Sequence, residues 1–340
     1  MNAHNGFAAQ ERLLTRGEQL DWHEGMDLRH WYPLTASVQE GDLTLAWRDM
    51  ADIAFTDSFF ENTLARQPRD ERRVCHTPAA ALAQFSDVPA PDAFIFHVSR
   101  CGSTLLTQLL ASLPQCIVMS EPPIIDSVLR LHHDQGAPDA TVAVLRQVIG
   151  AMGQRRTGQE QHFVIKFDCW HIHSLALLRA AFPETPCLFL YREPQAVLAS
   201  HQRQRGPQMV PGLIHPALLT LPARSTEPGD LDAYTSLVLE SFYSAAQAHA
   251  AAGRIELVNY SQLPEIVFSD LLHKLKIDCS APQREAMRQR SQFHSKYTGN
   301  AYRGDARAQQ EDRLAALAAR LTSGYQALER LRLDSAGTSL

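Results

Sequence analysis

Five short apolar runs alternate with longer helix-patterned stretches from Ala93 onward, and this alternation constrains the fold more than any other feature of the 340-residue chain. The runs are Ala93–Val98, Cys116–Met119, Phe163–Phe167, Cys187–Tyr191 and Ile255–Val258. Runs this short and this apolar suit strands buried on both faces, as parallel strands are. Between them, 3.6-residue periodicity predicts helices over 104–112, 123–132, 140–153, 173–182, 194–202 and 231–252. Strands joined by helices of that length require right-handed βαβ crossovers. The expected class is α/β, a three-layer sandwich around a central, mostly parallel sheet.

The flanks read differently. Residues 1–90 carry scattered aromatics (Trp22, Trp31, Tyr32, Trp47, Phe55, Phe59, Phe60) and a helix pattern over 57–66. They are taken as an accessory region of mixed structure. A proline-punctuated stretch, Pro78 to Pro91, reads as a linker into a core spanning 91–305. Within that core, 206–229 holds five prolines and is expected as a long loop over the site. In 306–340, Leu314, Leu317, Leu321, Leu328 and Leu331 recur at helical spacing. They suit a helix packed on the core, with a homodimer seam as the alternative.

Charge and cysteine usage narrow the function classes. Lys+Arg 32 against Asp+Glu 37 leaves a net charge of −5, which argues against a nucleic-acid partner but not against a local basic pocket. No apolar stretch approaches the ~20 residues of a spanning helix, and the first twenty residues lack a secretory apolar core. Six scattered cysteines without a CxxC pair suit buried thiols in a reducing compartment. A cytoplasmic protein with no membrane partner is expected. No His-x-Asp or HxxxH pair has a matching distant ligand, so no metal is expected.

The most informative segment is Phe94-Ile-Phe-His-Val-Ser-Arg-Cys-Gly-Ser-Thr-Leu-Leu106. A buried strand runs into the loop Ser99–Thr104, and a helix follows at once. Loop amides and the helix dipole then face one point, the arrangement of an anion site. Gly102 permits close backbone approach, Ser103 and Thr104 add hydroxyl donors, and Arg100 adds a forked cation. The loop is not GxxxxGK[ST], since Gly102-Ser103-Thr104 lacks the lysine, and Phe163–Asp168 is interrupted by Lys166. Lys166 within an apolar strand needs an anionic partner.

Ser-Arg-Cys-Gly-Ser-Thr-Leu-Leu resembles the 5′-phosphosulfate loop of sulfotransferases that use 3′-phosphoadenosine 5′-phosphosulfate (PAPS). A second signature agrees: Arg192 follows a buried strand and Ser200 lies eight residues on, where the family holds the 3′-phosphate. The pattern is most similar to the tyrosylprotein-type branch, which also carries Arg in the first loop. That resemblance spans about 93–299 and implies a P-loop NTPase-like sulfotransferase fold. It further implies Glu121 as general base, Lys166 on the bridging oxygen, and Tyr260 in the element after the last strand. Ser295 and Lys296, in Ser-Lys-Tyr-Thr-Gly, would close over the cofactor. Gln204 replaces a further phosphate-binding arginine of that branch, with Arg203 or Arg205 as the nearest substitutes.

The function so implied is in-line transfer of a sulfuryl group from PAPS to a hydroxyl or amine of a small-molecule or peptide acceptor. PAP is the product and no metal is required. Arg100, Cys101, Gly102, Ser103, Thr104, Arg192, Ser200, Tyr260, Ser295 and Lys296 would bind the cofactor, while Glu121, Arg100 and Lys166 act on the reacting groups. Glu121, among prolines and apolar residues, is expected to have a raised pKa suited to base work, with a helix-cap role as the alternative. Two other readings remain open: a kinase-like nucleotide-dependent transferase on the same loop, and a non-catalytic nucleotide-binding protein.

Overall fold

A computed structural model describes residues 11–221, 226–227, 229–292 and 312–337. The fold is α/β, with a central all-parallel sheet and flanking helices. Its strands are β5 (Ala93–His97), β6 (Cys116–Ser120), β7 (His162–Lys166), β8 (Cys187–Tyr191) and β9 (Glu256–Asn259), in the order β6-β7-β5-β8-β9. All five residues of β5 and of β8 are buried, which is why these runs read as continuous apolar stretches. Connecting helices fall close to the expected spans: α2 (Ser103–Ala111), α3 (Pro123–Gln135), α4 (Pro138–Met152), α5 (Leu175–Ala181), α6 (Pro194–Arg203) and α7 (Leu231–Ala251). Prolines open α3, α4 and α6, where their missing N–H costs no bond.

The chain divides into two compact units that interleave in sequence. One comprises Met1–Asp92, Leu110–Phe167 and Ser174–Thr185; the other Ala93–Leu109, Asp168–His173 and Pro186–Leu340.

In the first unit the aromatic-rich N-terminal region is more regular than expected. β1 (Glu18–Leu20), β2 (Trp31–Gln39), β3 (Asp42–Asp49) and β4 (Arg73–Pro78) form a second sheet in the order β1-β4-β3-β2. A two-residue turn, Glu40-Gly41, joins β2 to β3 with both residues at positive φ (53° and 95°), the twist a tight hairpin needs. α1 is shorter than expected, Phe60–Arg66. The stretch Pro78–Pro91 is not a free linker. Residues Ala79–Phe85 form a 3-10 helix that buries Ala81, Leu82 and Phe85, and Gly150 on α4 leaves room for the Phe85 carbonyl.

In the second unit, α8 (Ala281–Ser291) precedes the C-terminal helix α9 (Asp312–Gly337). Leu314, Leu317, Leu321 and Leu328 of α9 are buried, with α9 packed on α7 and α6. The described part of 206–229 is not structureless: it has two 3-10 turns, Pro207–Met209 and Pro216–Leu218, and buries Met209, Ile214, Leu218 and Leu219. The six cysteines are free thiols, four of them buried. Among the described residues, no helix is long and apolar enough to cross a membrane.

Candidate active site

The loop after β5 adopts a backbone that few sequences tolerate. Ser99, Arg100 and Gly102 have φ of 77°, 51° and 83°. Successive left-handed residues curl amide N–H groups toward one point, and each non-glycine residue held there costs about 1 kcal/mol that the surroundings must supply. The surroundings are specific: the Ser99 amide donates to His97 Nδ1 at 3.0 Å, and Gln208 Nε2 donates to Ser99 Oγ at 3.2 Å. The amides of Leu105 and Leu106 donate to Gly102 O, so α2 begins directly from the loop and turns its N-terminal end toward it. Ser103 and Thr104 are buried in that first turn.

Two sequence readings change in detail here. A Cβ on Gly102 would meet Leu263 Cδ1 at 2.7 Å and Tyr260 Cδ2 at 2.9 Å, so the close approach at this glycine comes from the residues after β9. Cys101 is fully buried, and its thiol donates to Leu190 O at 3.1 Å. Its side chain therefore belongs to the core, and any ligand contact falls to its amide.

Arg192 stands at the end of β8. Its guanidinium lies 4.0 Å from the Tyr260 ring centroid, and Nη1 donates to Arg100 O at 3.5 Å. The second expected phosphate residue is thus brought against the first loop, with Tyr260 as its platform. Tyr243 Oη on α7 donates to Arg192 O at 2.5 Å and fixes the backbone there. Arg100 itself donates from Nη2 to Gln204 O at 2.5 Å. Position 204 therefore acts through its backbone carbonyl. Arg205 is engaged by Asp232, Leu231 O and Thr235 Oγ1 on and beside α7. Ser200 lies half-buried on α6.

In the first unit, β6 and β7 end side by side, with Ser120 in register with Lys166. Glu121 follows at a positive φ of 57°, and its amide donates to Lys166 O at 2.7 Å. This turns its side chain back onto Lys166, with Oε1 2.5 Å from Nζ. Lys166 is wholly buried while Glu121 keeps 21% of its side-chain surface. The anionic partner that a buried lysine needs is thus supplied by the chain itself. Glu121 lies outside α3, whose N-cap is Pro122 without a side-chain cap bond, so the cap role is not observed. On its other side Lys166 Nζ lies 4.8 Å from the Phe59 ring centroid.

His97 and His201 are buried, and His173 bonds Ser241 Oγ at 3.2 Å with its pKa pushed down to about 4 by burial and by His249. Among the described residues no group of three or more His, Cys, Asp or Glu could hold a metal ion. Ser295 and Lys296, with His294, lie outside the described residues. No sequence motif marks Phe59 beside Lys166, nor Gln208 and Tyr243 beside the segments after β5 and β8. Each acts through a partner distant in the chain, and only the left-handed demand of Ser99-Arg100 hints that supports such as Gln208 must exist.

No protein-family model and no curated protein matches the sequence. Solved structures with a similar arrangement include the sulfotransferase domain of the Synechococcus PCC 7002 olefin synthase, at 19% identity and TM-score 0.39 over 69% of this chain and 95% of that one. A sulfotransferase from Alicyclobacillus acidocaldarius matches at 14% identity and TM-score 0.42 over 72% and 96%. One from Mycobacterium avium matches at 12% identity and TM-score 0.46 over 72% and 81%.

Proposed function

We propose that the protein is a PAPS-dependent sulfotransferase. The observation that supports this is the meeting of two elements after β5 and β8: the left-handed loop opening α2, and Arg192 stacked on Tyr260 with its guanidinium against Arg100 O. A nucleotide carrying a 5′-phosphosulfate and a separate 3′-phosphate would use both. The donor set fits such a ligand, being loop amides, hydroxyls and two guanidinium groups. The tyrosylprotein-type pattern is retained as a motif likeness, with the acceptor a hydroxyl or amine on a small molecule or peptide.

PAPS supplies the sulfuryl group, which leaves a phosphate oxygen as the acceptor oxygen or nitrogen bonds to sulfur. In this reading the loop amides, Ser103 and Thr104 hold the 5′-phosphosulfate, and Arg192 with Ser200 holds the 3′-phosphate. Glu121 accepts the acceptor's proton, and its anionic form, favoured by Lys166, is the form that can do so. Protonation of Glu121 removes the charge that pairs with Lys166. The ammonium is then able to stabilise the negative charge developing on the departing oxygen.

The test is calorimetry with PAP followed by turnover. Magnesium-independent PAP binding that Arg192→Ala weakens at least tenfold, with PAPS turnover lost in Glu121→Gln, is the expected result. Binding of ATP that requires Mg²⁺, without PAP binding, would refute the reading in favour of a kinase-like transferase. PAP binding with no turnover on a broad acceptor panel would favour a nucleotide-binding protein without catalysis.

A further inference from the structure

The C-terminal helix carries a polar cluster that no motif in the sequence announces. Glu329 of α9 accepts hydrogen bonds at Oε1 from Tyr191 Oη and from Asn259 Nδ2, the latter at 2.9 Å. Arg332 closes the carboxylate from the other side, with Nε 3.1 Å from Oε1 and Nη2 3.0 Å from Oε2. Asn259 Nδ2 also donates to Tyr325 Oη at 3.0 Å, and the Tyr191 and Tyr325 rings lie 5.8 Å apart.

Tyr191 and Asn259 are the final residues of β8 and β9, and they are register partners. Directly opposed residues share a face of the sheet, which is how one carboxylate can bond both. The residues that follow them are Arg192 and Tyr260, stacked at 4.0 Å. One acid therefore ties together the two strand ends whose next residues form the proposed 3′-phosphate platform.

We infer that Glu329 is a positioning residue: it sets the spacing of the β8 and β9 ends and so holds Arg192 on the Tyr260 ring for nucleotide binding. This rests on the PAPS reading for the identity of the ligand but not for the geometry it describes. The outer contacts of the cluster, from Tyr325 and Arg332, put the same control on the C-terminal helix.

The experiment compares wild type, Arg192→Ala, Tyr260→Ala, Glu329→Gln and the Tyr260→Ala/Glu329→Gln double variant, each checked for folding by its thermal transition. Glu329→Gln is expected to raise the PAP Kd and the PAPS KM five- to twentyfold while kcat and the acceptor KM stay within twofold. In the Tyr260→Ala background, where no platform remains to be aligned, the same substitution is expected to change Kd less than twofold. Hydrogen exchange gives a ligand-free readout: amides of 190–193 and 258–262 should exchange faster in Glu329→Gln, with β5 unchanged. An unaltered Kd in Glu329→Gln, an effect that multiplies fully in the double variant, or unaltered exchange at these segments overturns the inference. Arg192→Ala separates the two ideas. If wild type binds PAP and Arg192→Ala binds it equally, the reading of the site fails, while exchange still decides whether Glu329 holds the strand ends.

Discussion

Replacing Glu121 by Gln strips the anionic partner from a lysine that has no surface of its own. Lys166 is wholly buried and its Nζ lies 2.5 Å from Glu121 Oε1. At an effective dielectric of ~20, unit charges at that separation attract by about 6–7 kcal/mol, most of it offset by the cost of taking both from water. Removing one member of a buried pair costs ~3–5 kcal/mol, because the other charge is left uncompensated. Here the amide oxygen of the substituted side chain would still accept a hydrogen bond, the Phe59 ring stays against the ammonium, and 21% of the Glu121 side chain is exposed. The cost of Glu121→Gln is therefore set at the low end, about 3 kcal/mol. Lys166→Met leaves its charge on the partner that water reaches, and costs less, about 1–2 kcal/mol. With both changes no charge is stranded, so the double variant should recover about 2 kcal/mol of the summed single losses. Urea midpoints of the four proteins, with their m-values, give the coupling directly. All three variants should lose sulfuryl transfer, including the double variant whose stability returns. A coupling energy below ~0.5 kcal/mol, or a Lys166→Met loss larger than that of Glu121→Gln, would refute this account of the pair.

Four further outcomes follow from the same geometry. Gly102→Ala places a Cβ at φ 83° against Leu263 and Tyr260, and should cost about 2 kcal/mol and lower PAP affinity at least tenfold by calorimetry. Arg205→Ala should leave PAP affinity within twofold and lower stability by less than ~1 kcal/mol, since its partner is Asp232 at the surface of α7. His173 has a folded pKa near 4, below its ordinary 6.5, so the unfolded chain binds the extra proton. Stability should fall by about 2–3 kcal/mol as pH drops from 6.5 to 4, and His173→Gln should flatten that slope in urea titrations. Glu329 is raised by burial but lowered more by its bonds from Arg332, Tyr191 and Asn259, to about 2. Its contribution is present above pH 4.5 and lost as pH falls toward 2, about 2 kcal/mol after allowance for its partial exposure, and Glu329→Gln should remove that loss.

The parts of the fold legible in sequence are those where one local pattern has one physical outcome. Five buried runs read as strands because burial on both faces leaves no alternation to confuse them, and Cys187–Tyr191 falls on its expected bounds. The N-terminal sheet is harder to read because its scattered aromatics suit isolated anchors as well as strands. Yet the Glu40-Gly41 turn between Trp31–Gln39 and Asp42–Asp49 is a usable hairpin signal. Arg100 and Arg192 stand out as candidates because each follows an apolar strand, where open α/β sheets bind ligands. Phe59 and Glu329 do not. Each lies far in sequence from the residue it supports, Lys166 in one case and Tyr191 with Asn259 in the other, and neither sits in a motif. The Glu121–Lys166 pair falls between: the burial of a lysine in β7 demanded an anion, but only the positive φ of Glu121 turns that particular carboxylate toward it.

The partner of Lys166 bears on the moment at which its charge would act in the proposed reaction. Arg100 donates to the carbonyl of Gln204, and Arg192 donates to the carbonyl of Arg100 and faces the Tyr260 ring. Lys166 is instead oriented by a carboxylate at 2.5 Å, so its charge is largely spent inside the protein until that carboxylate changes state. In the proposed reaction Glu121 changes state only as the acceptor gives up its proton. On that proposal the charge of Lys166 would be paired before the transfer and unpaired as the bridging oxygen becomes anionic. An interaction that strengthens between ground state and transition state raises kcat, whereas one equal in both only tightens binding. In the proposed reaction the contact of Lys166 with the departing oxygen would be of the first kind.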